Sequence, residues 1–421
     1  MQSLKTTLYS TMKYEYAVLV IALVWALFFS FVLQFPPGFS EVGDDGSYLL
    51  AAKNLYLKGQ LDESRPIVIA AIHGFPLLFG FSDPVVIAWC NVISISCWFL
   101  TSVLLFKLIA QKFPRRIAFI AAVTFISCIG NLTNAFNVLA EAIFIFLVVL
   151  AVFFIGKQVQ TKHYKYTTLA VSILLLAILV KPLAFGLVGI VALCHFKNYK
   201  AIIGNSFVVF ILFSLSLIGI QLHSMKKQYG DYTVSYVDVV TYYNYLGGKA
   251  DCLKKGIDFV PGENDRAKKF SQFSSHEQKK IASSDLNDQL LNNTSNFMQA
   301  YAFCLYSNSS KGSYSVSECK NEASTFYFDF FYFSFKAISK VQNILFTITG
   351  VLLSFYYLFY RKKVGTFYKI IALFISYIFF ISGMSCLQCD RFHILFFPLV
   401  IVLGISLFVE NRQLVWKQKP I

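Results

Sequence analysis

The chain has 421 residues, of which 57% are apolar and only 14% charged, with a mean hydropathy of +0.60. A soluble surface of that size needs far more charge, so a set of soluble domains is excluded, and the apolar content excludes a disordered chain. The 45 Phe and 24 Tyr suit lipid and membrane interfaces, while the net charge of +15 has two explanations, nucleic acid or membrane topology.

Crossing about 30 Å of hydrocarbon takes roughly 20 apolar residues. In chain order, strong runs lie near 17–34, 84–106, 138–156, 201–222, 341–360, 367–386 and 392–410, and shorter ones near 117–130, 166–180 and 183–196. The first follows Lys5 and Lys13 as a signal peptide would, but Phe35-Pro36-Pro37 comes next and no small-residue cleavage site. An uncleaved first span is expected.

Charge then sets the orientation. With the N-terminus inside and ten crossings, the inside segments are 1–16, 107–116, 157–165, 197–200, 361–369 and 411–421. They carry 18 Lys/Arg against Glu15 and the flanking Glu410. The excess positive charge therefore sits on one face and is spent on topology, leaving no nucleic-acid partner to expect. Lysines on both sides of 166–196 require that stretch to cross twice, turning near Lys181-Pro182. By the same parity 117–156 crosses twice, turning near Gly130–Asn137, and 66–82 is interfacial or re-entrant. The expected fold is all-α and polytopic, with about ten transmembrane helices. An N-terminal membrane region, 1–222, contains a first outer loop at 35–83; an outer loop or cap of about 115 residues covers 223–340; and 341–421 holds the last spans.

Cys90, Cys97, Cys128 and Cys194 lie in apolar runs and read as packing residues. Cys252, Cys304, Cys319, Cys386 and Cys389 lie outside, where disulfides are allowed, and an odd number in the late loop assigns no pairing. Sequons stand at Asn131, Asn292, Asn293 and Asn308. No Cys/His spacing marks a metal site.

The first outer loop reads FSEVGDDGSYLLAAKNLYLKGQLDESRP. Tyr48, Leu49, Ala52, Leu55 and Tyr56 recur at helical spacing, so a helix lying in the interface is expected after Asp44 and Asp45. The two acids then either cap that helix or act as a general base or metal ligands at the membrane surface.

These residues resemble the GT-C superfamily of membrane glycosyltransferases, in the bacterial branch related to protein mannosyltransferases and the lipid A aminoarabinose transferase. The likeness runs over most of residues 1–200 and over 385–410. It comprises the acid pair Asp44-Asp45; the helix pattern Tyr48, Ala52, Leu55, Gly59; Arg65-Pro66 before an apolar segment; and Glu141 opening a span. Lys181-Pro182 at an outer turn and Asp390-Arg391-Phe392-His393 before Pro398 complete it. Asp45 stands where Glu is commoner, Lys181 where Arg is frequent, and residues 223–340 match nothing in the pattern.

The resemblance implies inverting transfer of a sugar from a polyprenyl-phosphate donor to a glycan, lipid or protein acceptor. The setting it implies is the outer face of a bacterial inner membrane. Asp44 is then the base and Asp45 its partner; Arg65, Lys181 and Arg391 would bind the donor phosphate. Glu141, Tyr48 and His393 are further site candidates. A divalent metal is possible, with no residue assigned to it. Each residue has a plainer role: lipid headgroups for Arg65, snorkelling for Lys181, pairing with Asp390 for Arg391, packing for His73 and His393. The tyrosines at 242, 243 and 245 either line an acceptor groove or form the core of the late loop. The competing functions are an O-antigen polymerase or ligase type of enzyme, which would use outer-loop Arg and His, and a lipid or solute transporter, which would show paired broken helices.

Overall fold

A computed structural model describes residues 2–35, 44–262, 264–362 and 364–417, with side chains placed among these from 13 to 409. The start of the first outer loop, residues 36–43, and with it Pro36-Pro37, lies outside them. Every regular element among the described residues is a helix.

The apolar runs become helices whose ends follow local chemistry. After α1 (Gln2–Val32) comes α2 (Asp45–Lys58), closed by Gly59 at a φ of 64°, a left-handed turn that glycine makes freely. The segment expected to be interfacial is α3 (Ile67–Gly74), continued by a 3-10 turn at Phe75–Phe79. α4 (Asp83–Ala110) opens with proline in its first turn, where a missing N–H costs nothing. α5 (Arg115–Ile126) and the short α6 (Ile129–Asn134) precede α7 (Glu141–Thr161), which begins on an acid at its positive end. α8 (Lys165–Ile178), α9 (Ala184–Cys194), α10 (Tyr199–Ile203) and α11 (Val208–Tyr229) complete the first half. The main apolar core runs through α1, α4, α5, α7 and α8 and through residues of 368–378 and 394–403.

Five of these helical stretches are long and apolar enough to cross a membrane: 13–32, 83–110, 141–161, 208–229 and 328–360. The count rises to seven if two bent pairs are each one span: 184–194 with 196–203, bent by 70°, and 389–395 with 397–409, bent by 51°. Among the described residues the chain is thus all-helical with five to seven candidate apolar spans of full length, as a helical membrane protein requires. α5, with 12 residues, and α8, with 14, rise only about 18 and 21 Å, short of the hydrocarbon thickness. The α8–α9 turn ends inside the protein, with Leu179 and Val180 buried. The Leu179 carbonyl there accepts the Ile69 N–H at 3.2 Å. Irregular backbone at this depth is tolerated where protein surrounds it.

Two expected boundaries are corrected. The run at 201–222 breaks at Gly204–Phe207, where Asn205 bonds both flanking turns, and the long helix runs 208–229 instead. The late span begins at 328 rather than 341, because the aromatic stretch FDFFYFSF continues the helix beyond its most apolar part. The segment between these two long helices, the outer segment by its expected side, therefore covers 230–327. Its described residues form six α-helices, α12 (Val237–Thr241), α13 (Gly247–Lys255), α14 (Asp265–Phe270), α15 (Ser275–Asn292), α16 (Thr294–Ser310) and α17 (Tyr314–Ser317), with a π-helical turn at Tyr242–Leu246 between the first two. Their own small core joins Leu246, Ala250, Phe270, Phe297 and Ala300. A disulfide between Cys304 and Cys386 fastens α16 to the segment that follows α19 (Thr366–Ser382). α18 (Phe328–Phe355) and α20 (Phe397–Lys417) flank α19 in the chain.

The sequons at Asn131, Asn293 and Asn308 are buried. Asn308 donates to the Ser382 and Ser385 carbonyls, so these three asparagines are structural in the folded chain and only Asn292 is exposed.

Candidate functional site

Five charged side chains from five separate stretches meet at one cavity of about 590 Å³. Each is delivered by its local backbone. Asp44 sits at the start of α2, where Ser47 and Tyr48 N–H groups bond its carbonyl. Its carboxylate makes no capping bond to the helix. Instead Oδ1 lies 2.9 Å from Arg65 Nη2, and Oδ2 lies 2.5 Å from Arg391 Nη1. The capping explanation for this acid thus accounts for its place in the chain and not for its side chain.

Arg65 is aimed by Asp62, whose Oδ1 accepts the N–H groups of Ser64 and Arg65 at 2.9 and 3.0 Å. The guanidinium lies on the Tyr48 ring at 4.0 Å and donates to Ser47 Oγ from Nε and Nη2. Arg391 rides on a 3-10 helix, Cys389–Leu395. Leu387, just before it, and Cys389, its first residue, hold positive φ values of 61° and 54°, a costly backbone for side-chain-bearing residues. Three anchors hold that turn: the disulfide, a bond from the Gln388 N–H to Asn308 Oδ1, and the Tyr314 N–H on Asp390 Oδ1. Gly130 makes the last possible, since a Cβ there would collide with the Asp390 carboxylate. Arg391 therefore pairs with Asp44 and Glu141 and not with its neighbour.

Behind this layer, Glu141 Oε1 receives Arg391 Nε at 2.7 Å and Lys181 Nζ at 2.8 Å. The gradation of exposure separates the roles. The Glu141 side chain is 0% exposed and that of Asp44 is 41%, so Glu141 braces two cations and Asp44 faces the cavity. Three cations meet two carboxylates here.

The acid pair is divided by the helix that carries it. Asp45, one residue on, is buried and does not line the cavity. Burial, countered by Arg391 and helped by Asp44 and Glu141, pushes its carboxyl up to about 7. For Asp44, burial acts in the same sense, but Arg391 and Arg65 outweigh it and hold the carboxyl below the usual range.

Tyr48 lines the cavity beneath Arg65. His393 does not: it is buried among Thr347, Asn343 and Ser382, bonded through both ring nitrogens at 2.8 to 3.2 Å. It braces the Arg391 turn, a correction to its expected place at the site. His73 packs edge-on against Tyr48. The tyrosine group divides as well. Tyr242 bonds Asp285 and Tyr243 stacks on Phe270, both in the core of the outer segment, whereas Tyr245 lines the cavity. Asp238 and Gln388 also line it, and no sequence pattern singled them out.

No three His, Cys, Asp or Glu side chains gather in metal-binding geometry among the described residues, and both carboxylates of the cluster are engaged by cations. No family model, curated protein or solved structure matches the chain.

Proposed function

We propose that this chain is an inverting membrane glycosyltransferase that moves a sugar from a polyprenyl-phosphate donor to an acceptor on the extracytoplasmic face of a bacterial inner membrane. The observation that carries the reading is the convergence of Asp44, Arg65, Lys181 and Arg391 on one cavity among apolar helices. This is the set of charges such a transfer needs: a carboxylate for the acceptor proton and cations for a departing phosphate.

The ion pairs suggest how the step is gated. In the resting site both guanidiniums hold Asp44, which makes it a weak base. A donor phosphate competes for the same N–H groups and frees the carboxylate as it binds. Asp44 then takes the proton of the acceptor hydroxyl. The acceptor oxygen bonds the anomeric carbon from the face opposite the phosphate. The bond from that carbon to the phosphate oxygen breaks, and the polyprenyl phosphate leaves on Arg65, Arg391 and Lys181. Glu141 keeps the two innermost cations in place, and Asp45 supports the start of α2. In this reading the two bent pairs, which contain α9 and α20, and the shorter helices α5, α8 and α19 bring the five long spans to ten crossings with both termini inside. Reporter fusions at Gly262 and Val364 should then read outside and inside; the same side for both would sink the topology.

An O-antigen polymerase or ligase is less well served. The outer segment has a single arginine, Arg266, and it is committed to Asp285. A transporter has one specific observation in its favour, the two bent helix pairs, one of which carries Arg391. Mass spectrometry of outer-face glycans decides. Cells with the intact chain should carry a sugar that cells with Asp44→Asn, at matched protein level, lack. Identical glycans with and without the chain would overturn the proposal in favour of transport.

A further inference from the structure

The wall of the cavity facing the ion cluster comes from the outer segment, the part of the chain with no likeness to the glycosyltransferase pattern. Its chemistry differs from that of the floor. All three cations that line the cavity, Arg65, Lys181 and Arg391, belong to the floor. On the wall, Asp238 in α12 lines the cavity; its own N–H and that of Val239 bond it, and Lys279, which forms an ion pair with Asp231, attracts it more weakly than burial disfavours its charge. Burial leaves this carboxyl with a raised pKa, so its charge is poorly compensated where it stands. Tyr245 lines the same wall, with its hydroxyl bonded to the Gln388 side chain. Gln388 is itself fixed through its N–H to Asn308 and lies two residues from the disulfide at Cys386.

A second phosphate or a carboxylate would meet Asp238 with like charge. A hydrocarbon chain would leave the carboxylate, carboxamide and phenol without partners. A ring bearing several hydroxyls satisfies all of them: a carboxylate accepts two O–H groups, an amide both donates and accepts, and an aromatic face covers the apolar side of the ring. We propose that Asp238 and Tyr245 of the outer segment, with Gln388 of the turn before the Arg391 helix, form a subsite for the hydroxyls of a neutral sugar ring, facing the phosphate-binding floor. The inference rests on the transferase reading for its place in a reaction, and names the donor's sugar or the acceptor's as the occupant.

The test uses the full chain in lipid nanodiscs and saturation-transfer NMR. Glucose, mannose, galactose and N-acetylglucosamine are offered one at a time to the wild type, Asp238→Asn, Tyr245→Ala and Asp258→Asn. Asp258 is an exposed acid of the same segment that does not line the cavity. At least one sugar should give ring-proton transfer with wild type and Asp258→Asn. Its affinity should fall about tenfold to a hundredfold in Asp238→Asn, the range for losing hydrogen bonds to a charged group. No transfer from any of the four sugars to wild type, or equal affinity in Asp238→Asn, overturns the subsite. Polyprenyl phosphate with and without a glucosyl group separates the two sources. Weakened binding of the glucosylated lipid alone in Asp238→Asn puts the donor's sugar on the wall. Equal binding of both lipids beside weakened free-sugar binding puts the acceptor there. A chain that binds sugar in this way yet adds no glycan in cells would retire the transferase reading and leave the subsite standing.

Discussion

Two arginine–carboxylate clusters in this molecule use the same chemistry and end in opposite states. In the outer segment, Arg266 meets Asp285 fork to fork, at 2.7 and 2.5 Å. Tyr242 donates to the same carboxylate at 2.8 Å, and the guanidinium lies 3.8 Å from the Tyr243 ring. One cation meets one anion, and the two-pronged geometry is used up. At the cavity, Arg65 and Arg391 each give only part of their fork to Asp44, Arg391 turns its remaining edge to Glu141, and Lys181 shares that same oxygen. The first cluster is closed and fastens α14 to α15. The second is open, carries an extra positive charge and faces a cavity. What separates a fastening from a site here is charge balance and access to a cavity, and not the residue types present.

The largest expected effect falls on the open cluster. Asp44→Asn keeps size and an accepting oxygen but removes the base. Transfer should drop by about 100- to 10,000-fold with little change in protein level, read as the outer-face glycan per inserted chain. Near-normal transfer would make Asp44 one more fastening.

Asp45 tests the partition of the acid pair, and its sign follows from its raised carboxyl. In the unfolded chain it ionises near 3.8, in the folded chain near 7. Between those values the folded state binds the extra proton, so stability falls as pH rises from about 4 to about 7 and stays lowered above that. Three units correspond to at most about 4 kcal/mol. Asp45→Asn should remove this slope and raise the thermal unfolding temperature in nanodiscs at pH 8 while leaving it unchanged at pH 4. A slope that persists in the variant would assign it to other groups.

Arg391→Lys sharpens the comparison from within the site. Lysine keeps the charge, but one ammonium cannot serve Asp44 and Glu141 as two edges of a guanidinium do. Lys181 still neutralises buried Glu141, so the chain should insert normally. Transfer should fall about tenfold to a hundredfold, and further with alanine. Equal transfer by the lysine variant would reduce the cluster to bare charge.

Much of this site was legible in the sequence because its members lie beside strong punctuation. Asp44 follows a long apolar run, Arg65 precedes proline, Glu141 opens a span and Lys181 marks a parity turn. What the sequence hid depends on depth and on sides of a helix. Neighbouring acids at 44 and 45 look alike until α2 turns one to the cavity and the other into the protein. His393 shares a short motif with Arg391, yet the 3-10 turn sends it into the helix bundle. Asp238 and Gln388 stand in polar stretches with no period, and only the folding of the outer segment back over loop one, through the Tyr236 N–H on the Glu63 carbonyl and Ser235 on the Ser64 carbonyl, brings that wall to the cavity. The lengths of the spans were hidden for the same reason. Hydropathy reports apolar length, and α5, α8 and α9 are apolar but short because they end inside the protein.

The smallest expected effect on transfer belongs to the closed cluster, and it is the control that gives the comparison meaning. Arg266→Lys loses one prong to Asp285 and the flat contact with Tyr243, while Tyr242 still donates to the carboxylate. The side chain is largely buried, at 12% exposure, so the lost bond and stacking should cost about 1 to 3 kcal/mol of stability. That loss should appear as an earlier unfolding transition of the purified chain. The fastening lies in the core of the outer segment, and neither Arg266 nor Asp285 lines the cavity, so transfer per folded chain should stay within about twofold. Asp44→Asn should show the reverse pattern, with stability kept and transfer lost. If Arg266→Lys instead cut transfer as deeply as Arg391→Lys while the chain stayed folded, the outer segment's own ion pair would be part of the site. Open and closed clusters would then no longer be distinguished by charge balance and access to the cavity.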